Sequence, residues 1–189
     1  MPIRQSVILI HPPVAKPCEA PAGIARLAGA LNRHGIECAM LDAGLEGFLY
    51  LLRRPQTRTD TWTRRAVRNL SGNLAALVDP RTYGHFDRYK RAVRDVNRLI
   101  EVSVGGEHVS INLANYEDER LSPLRSAELI EAAERPEENP FYPYFAGRLA
   151  TLVERRNPGM IGLSLNYLSQ ALCTFAMVGF LRQRFPALP

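Results

Sequence analysis

Residues 6–42 read SVILIHPPVAKPCEAPAGIARLAGALNRHGIECAMLD, and they contain a strand, a helix and a second strand in succession. Ser6–Ile10 is a continuous apolar, β-branched run of the kind that forms a buried strand. It stops at His11-Pro12-Pro13, where proline cannot donate to a sheet ladder. After a loop, Pro21-Ala22-Gly23 opens a segment in which Ile24, Leu27, Ala28 and Leu31 recur at helical spacing, and Gly35 closes it. Ile36–Leu41 then reads as a second strand ending at Asp42. Two strands joined by a crossover helix form a βαβ unit, which predicts a parallel sheet.

The same alternation returns near the other end of the chain. Pro158-Gly159 precedes the apolar run Met160–Leu165, Asn166 breaks it, and a helix is predicted over residues 169–185. The fold class is therefore α/β, a Rossmann/flavodoxin-like parallel sheet with flanking helices. Its core is assigned to residues 5–43 and 158–187, with a large, mostly helical insertion over 44–157. About three core strands can be counted, whereas open doubly wound sheets usually have about five, so the chain reads as a truncated domain. In the order 2-1-3 the third strand keeps one unpaired edge, to be covered by an insertion strand or by a second copy in a homodimer.

Within the insertion, Trp62, Ala66, Leu70, Leu74, Leu77 and Val78 share one helical face, and Phe86, Tyr89, Val93, Val96, Leu99 and Ile100 share another. Both helices carry basic outer faces. Residues 101–116 alternate around Gly105-Gly106 as a hairpin-like or extended piece, residues 126–134 read as a short acidic helix, residues 136–143 as a proline-broken loop, and residues 144–156 as a helix leading to the third strand. From Arg53 to Arg98 there are twelve basic and four acidic residues, and from Glu101 to Glu138 three basic and ten acidic. Neutralisation of one stretch by the other is expected. That expectation disfavours a nucleic-acid-binding role for Arg64, Arg65, Arg68, Arg88, Lys90, Arg91 and Arg94, despite a net charge of +5.

The chain has 189 residues, 46% apolar and 23% charged, enough to bury a core as one domain. No apolar run approaches the roughly 20 residues of a membrane span, and residues 1–10 do not resemble a secretory signal, so a cytoplasmic protein with no membrane partner is expected. Cys18, Cys38 and Cys173 are too widely spaced for a disulfide framework or a CxxC metal site. His11, His34, His85 and His108 show no HxxxH or HExxH spacing, and Ser164 lies in LSLN rather than in a GxSxG elbow, so hydrolytic and metal catalysis gain little support.

Ligands of open α/β sheets bind beyond the carboxyl ends of the strands, where strand order reverses. Here that crevice lies between strands one and three. One side is assigned to His11, Pro12, Pro13 and the Cys18–Gly23 turn, which includes Pro21, Ala22 and Gly23, with His11 expected to face the crevice. The other is assigned to Ser164, Leu165, Asn166, Tyr167 and Gln170. Unpaired N–H groups at the helix start suit an anion or an amide oxygen. On local chemistry alone, the same prolines and glycine serve equally as loop and helix-start punctuation. A dinucleotide site lacks its GxGxxG turn, which leaves Asp42 as a loop cap or an acid at the sheet edge.

The pairing of ILIHPPVAKPCEAPAGIARLAGAL with GMIGLSLNYLSQALCTFAMVGFLRQRFP resembles the cobalamin-binding domain that precedes the barrel in a large group of radical S-adenosylmethionine enzymes. The insertion, with WTRRAVRNL, NLANYEDERLSPLRS and NPFYPYFAGRL, is similar to that of uncharacterised bacterial members. The resemblance implies a cobalamin held at the strand ends by Pro12, Pro13, Pro21, Ala22, Gly23, Ser164, Leu165, Asn166 and Tyr167. It implies S-adenosylmethionine and a 4Fe-4S cluster only in a following barrel of the same chain, beyond residue 189, so no catalysis is expected from these residues alone. Departures accompany it. The DxHxxG motif of the methionine-synthase type is absent, since His11 is followed by two prolines, so a cobalt would lack that lower ligand unless His11 or another residue substitutes; the loop after strand four, glycine-rich in the family, is expected beyond Pro189; and no CxxxCxxC is present. These departures keep a second reading open, a cofactor-free relic of that domain acting as an interaction module.

Overall fold

The computed structural model describes residues 6–54, 60–105 and 108–188. In chain order its elements are β1 (Ser6–His11), α1 (Ala22–Arg33), β2 (Glu37–Asp42), α2 (Ala43–Arg53), α3 (Thr61–Val78), α4 (Phe86–Val104), β3 (Val109–Ile111), β4 (Tyr116–Asp118), α5 (Ser126–Glu134), α6 (Tyr142–Arg156), β5 (Met160–Leu163) and α7 (Ala171–Arg184). Short 3-10 turns occupy Pro80–Gly84, Pro136–Glu138 and Leu168–Gln170.

The sheet is parallel, in the order β2-β1-β5. The expected α/β fold class with three core strands is therefore present. Among the described residues, the outer edge of β5 carries no further strand. The ladder between β1 and β5 runs past the strand ends, since Gly159 N donates to Ser6 O (2.9 Å) and Ser164 N to Ile10 O (2.8 Å). Strand pleating sends Ile8 and Ile10 to one face, into the main core with Leu41, Phe48, Leu99, Phe145 and Met177. Leu9 goes to the other face, against Ile24 and Ala28 of α1. Burial on both faces is why β1 reads as an unbroken apolar run.

Two local readings are corrected. Asp42 does cap a loop-to-helix junction, but the helix it caps, α2, follows the strand immediately: its carboxylate accepts from Leu45 N at 2.9 Å. The hairpin is real but shifted along the chain. The α4 helix runs on to Val104, and Gly105 ends it with φ 63, a left-handed conformation that costs glycine nothing. The turn between β3 and β4 is built instead on Asn112, whose Oδ1 accepts from the N–H groups of Ala114 (2.9 Å) and Asn115 (3.0 Å). Residues 5 and 106, which bound the expected core and hairpin, lie outside the described residues.

The last helix, α7, is apolar nearly all round because it runs between α5 and α6 in the core. It meets α5 so closely that a methyl group at Gly179 would lie 1.8 Å from Ala133 O. A backbone atom cannot move aside as a side-chain end can. Gly179→Ala is expected to cost about 3 kcal/mol or more, lowering the melting temperature by roughly 6–12 °C for a chain of this size. Thermal denaturation followed by circular dichroism checks this; an unchanged melting temperature would mean that α5 and α7 do not pack through this contact.

Candidate functional site

The first and third strands deliver their carboxyl ends to one rim, and a single buried side chain holds the two junctions together. Gln170 is fully buried. Its Nε2 donates to Pro12 O (2.7 Å), while its Oε1 accepts from Asn166 N (2.9 Å) and Tyr167 N (3.1 Å). The neighbouring Ser169 repeats the connection: its hydroxyl donates to Val14 O (2.8 Å), and its carbonyl accepts from Val14 N (3.3 Å). Pro12 has no N–H of its own to offer, but its carbonyl is thereby satisfied away from water.

The α1 helix closes the third side. A methyl group at Gly23 would come 3.8 Å from Ser164 Oγ, which sets the first turn of α1 against the loop after β5. Pro21 occupies the cap position with no side-chain cap bond, so the first-turn N–H groups of Gly23 and Ile24 have no side-chain acceptor. Asn166 Nδ2 donates to Ser164 Oγ (3.2 Å). Across the mouth, the Tyr167 hydroxyl donates to Glu19 Oε2 at 2.6 Å, and Lys16 lies 3.6 Å from the same carboxylate. The hydrogen bond from Tyr167 holds the Glu19 carboxyl below its ordinary value. Leu165, Tyr167 and Leu168 remain 45%, 47% and 60% exposed, giving the rim an apolar surface beside these polar groups.

The sequence-derived residues thus divide by role. Pro21, Ala22, Gly23, Ser164, Leu165, Asn166 and Tyr167 gather at one rim, and Gln170 serves as the clamp beneath them, its amide fully engaged. Pro12 and Pro13 are buried parts of the same junction. His11 is placed differently from expectation. It is only 5% exposed, stands opposite Asp42 in register, and its Cδ2 would lie 3.7 Å from a methyl group at Gly44, so the ring packs against the β2–α2 junction. Its Nδ1 has no hydrogen-bond partner among the described residues. Glu19 lies in the Cys18–Gly23 turn expected to line the crevice, but its bond to Tyr167 and the part played by Ser169 were not anticipated, since each acts through a contact distant in sequence.

Among the described residues no group of three or more His, Cys, Asp or Glu is arranged to hold a metal ion. Cys18 is exposed, Cys38 lies on β2 and Cys173 is buried in α7. Burial pushes the Cys173 thiol up to about 12, with a weaker opposing effect from Asn139. No helix of the described residues is long and apolar enough to cross a membrane.

Two predictions belong to this rim. Gln170→Ala leaves three backbone groups without partners and is expected to destabilise the chain by about 2–4 kcal/mol, measured by urea denaturation; a loss below about 0.5 kcal/mol would remove the clamp. Burial lowers the His11 pKa, against an opposing pull from Asp42. A folded value below the unfolded one means that stability is full above about pH 6.5 and falls as the pH drops toward the folded value. His11→Gln should therefore flatten the decline in stability between about pH 7 and 5, and a decline of wild-type size would refute a buried neutral imidazole. Comparison of the chain with protein-family models, curated proteins and solved structures gave no match, so the chemistry of the rim is read from its own residues.

Proposed function

We propose that this chain is the cobalamin-binding N-terminal domain of a radical S-adenosylmethionine protein, holding the corrin at the carboxyl ends of β1 and β5. The observation that carries the reading is the Gln170 clamp, which makes the two βα junctions one surface. A corrin is a broad apolar ring edged with amide arms. The exposed Leu165, Tyr167 and Leu168 offer an apolar face to such a ring. Around them, Ser164, Asn166 and the first-turn N–H groups after Pro21 offer hydrogen-bonding partners for amides. When bound, the cofactor supplies the carbon–cobalt chemistry, and the protein contributes placement and exclusion of water.

His11 is too enclosed, and turned too far toward β2, to serve as the lower cobalt ligand in this arrangement. The reading accordingly gives the rim a binding role, with no catalytic residue in this chain. The Tyr167–Glu19 hydrogen bond crosses the mouth of the site, so the Cys18–Gly23 turn has to yield for a ring to settle there.

Titration of the chain with hydroxocobalamin, followed by visible absorption and gel filtration, tests this. A shift of the cofactor's visible bands and co-elution are expected, and Leu165→Asp should weaken binding roughly tenfold, equivalent to about 1.4 kcal/mol. An unperturbed spectrum with no co-elution, from protein whose melting curve shows it folded, would overturn the cobalamin reading and favour the cofactor-free interaction module.

A further inference from the structure

The α3–α4 hairpin carries chemistry that the rim does not use. Residues 61–104 contain eight arginines and one lysine against four acids. Ion pairing leaves many of these cations open. Arg65 pairs with Asp95 (2.8 Å), Arg81 with Asp79 (3.0 Å), and Arg98 with Asp60 (3.0 Å) and Glu101 (3.2 Å). Among the described residues, Arg68, Lys90, Arg91 and Arg94 have no ion pair, and Lys90 lies 5.7 Å over the Phe86 ring. Among the described residues, the ion pairs between the acidic stretch and the hairpin are limited to Arg98 with Glu101 on its own helix. Glu128, Glu131 and Glu138 pair instead with arginines of their own stretch, Arg120 with Glu138, Arg125 with Glu128, and Arg135 with Glu131 and Glu138.

Three of these open cations, Lys90, Arg91 and Arg94, line a furrow. A concavity of about 580 Å³ is walled by Trp62, Arg65, Asp87, Lys90, Arg91, Arg94 and Asp95. A second, of about 560 Å³, is walled by His85, Phe86, Asp87, Arg88 and Arg91, so the two adjoin at Asp87 and Arg91. Asp95 is neutralised in place by Trp62 Nε1 (2.9 Å), Arg65 (2.8 Å) and Asn73 (3.4 Å), which leaves Asp87 as the opposing acid. The α4 helix begins in the second concavity, and its cap residue His85 makes no side-chain cap bond, so the positive end of the helix dipole adds to the field.

We propose that this furrow binds single-stranded nucleic acid, independently of any cofactor at the rim. Arginine forks match phosphate geometry and stack on bases, and arginine outnumbers lysine here eight to one. Rings of Trp62, Tyr83 and Phe86 are exposed on the same hairpin, where bases can stack on them. A furrow between two helices packed about 8–10 Å apart admits a single strand better than a duplex. A flat anionic membrane would meet only the ridges, and an acidic peptide would have little to lay on the rings.

Fluorescence anisotropy of a labelled oligothymidine of about 15 nucleotides, with the whole chain, tests the proposal. Saturable binding is expected at low salt, weakening as salt rises with a log–log slope of about −2 for three phosphate contacts. Replacing Lys90, Arg91 and Arg94 together by Ala should weaken binding at least tenfold and remove most of that slope. Phe86→Ala should weaken it about fivefold or more. Replacing Arg120, Arg125 and Arg135 by Ala, the same three charges lost elsewhere, should leave binding unchanged. Absence of saturable binding at low salt, equal binding by the furrow and control variants, or tighter binding to phosphatidylserine vesicles or polyglutamate than to the oligonucleotide would each overturn it.

Discussion

One buried amide determines what this rim is. Two parallel strands in register do not fix the loops that follow them, since strand hydrogen bonds end where the loops begin. Gln170 supplies the missing constraint by using both ends of its amide, donating to the loop after β1 and accepting twice from the loop after β5. A planar carboxamide offers donor and acceptor side by side, and Gln carries it one methylene further from the backbone than Asn. A carboxylate there would face the Pro12 carbonyl with no proton to give and would carry its charge into the interior. The Thr174 hydroxyl, donating to Gln170 O at 2.7 Å, anchors the clamp in turn to α7. The clamp is thus tied to the core helix beneath it.

The insertion between β2 and β5 is an insertion in topology only. Val96, Leu99 and Ile100 of α4 and Phe145 and Leu149 of α6 share one cluster with Ile8, Ile10 and Leu41 of the sheet. Removing residues 44–157 would strip one face of a sheet that buries both faces, and that face provides most of the apolar burial. The same arrangement fixes the hairpin. The core anchors one side of α4 while Lys90, Arg91 and Arg94 stand on the other, and α3 is tied to α4 through Trp62, Arg65 and Asn73 on the buried Asp95. Arg98, 5.1 Å over the Trp62 ring and bonded to Asp60, closes the network at the start of α3. Burial alone would raise the Asp95 carboxyl; the hydrogen bonds from Arg65, Trp62 and Asn73 outweigh that and hold it below its ordinary value, charged and stitched.

Elements with long, clean periodicity were legible from the residues alone. The βαβ start, the two long helices, α5 and the third strand follow from spacing and from the Pro and Gly punctuation around them. The α2 helix was obscured because it begins directly after a strand and carries Gly44 and Gly47 among its apolar positions; the Asp42 cap with Phe48, Leu51 and Leu52 was the available signal. The hairpin register was misplaced because Gly105 serves equally as a turn residue and as a helix end, and only the length of α4 separates the two uses. At the rim, composition indicated which loops meet but not how. The direction of His11 depends on a gap beside Gly44, and the work of Gln170 depends on Pro12, 158 positions away, as much as on the neighbouring Asn166 and Tyr167; the distant contacts leave no local pattern.

The division of charge has a physical basis of its own. In the acidic stretch, Arg125 and Arg135 sit three or four positions from Glu128, Glu131 and Glu138, distances at which side chains on a helix or turn meet without closing a long loop. These local pairs engage Glu128, Glu131 and Glu138 within the stretch itself. On α4 the spacing works the other way: Arg88, Arg91 and Arg94 recur every three residues, and Lys90 stands four before Arg94, so like charges are neighbours along one surface. Each such pair opposes the helix by about 0.2–0.5 kcal/mol, and burial of Val96, Leu99 and Ile100 offsets that cost. A fold that only needed a soluble outer face could alternate signs there and avoid the repulsion. The retained repulsion is relieved by any polyanion laid along the furrow, so the feature that weakens the isolated helix is the one that favours its occupation.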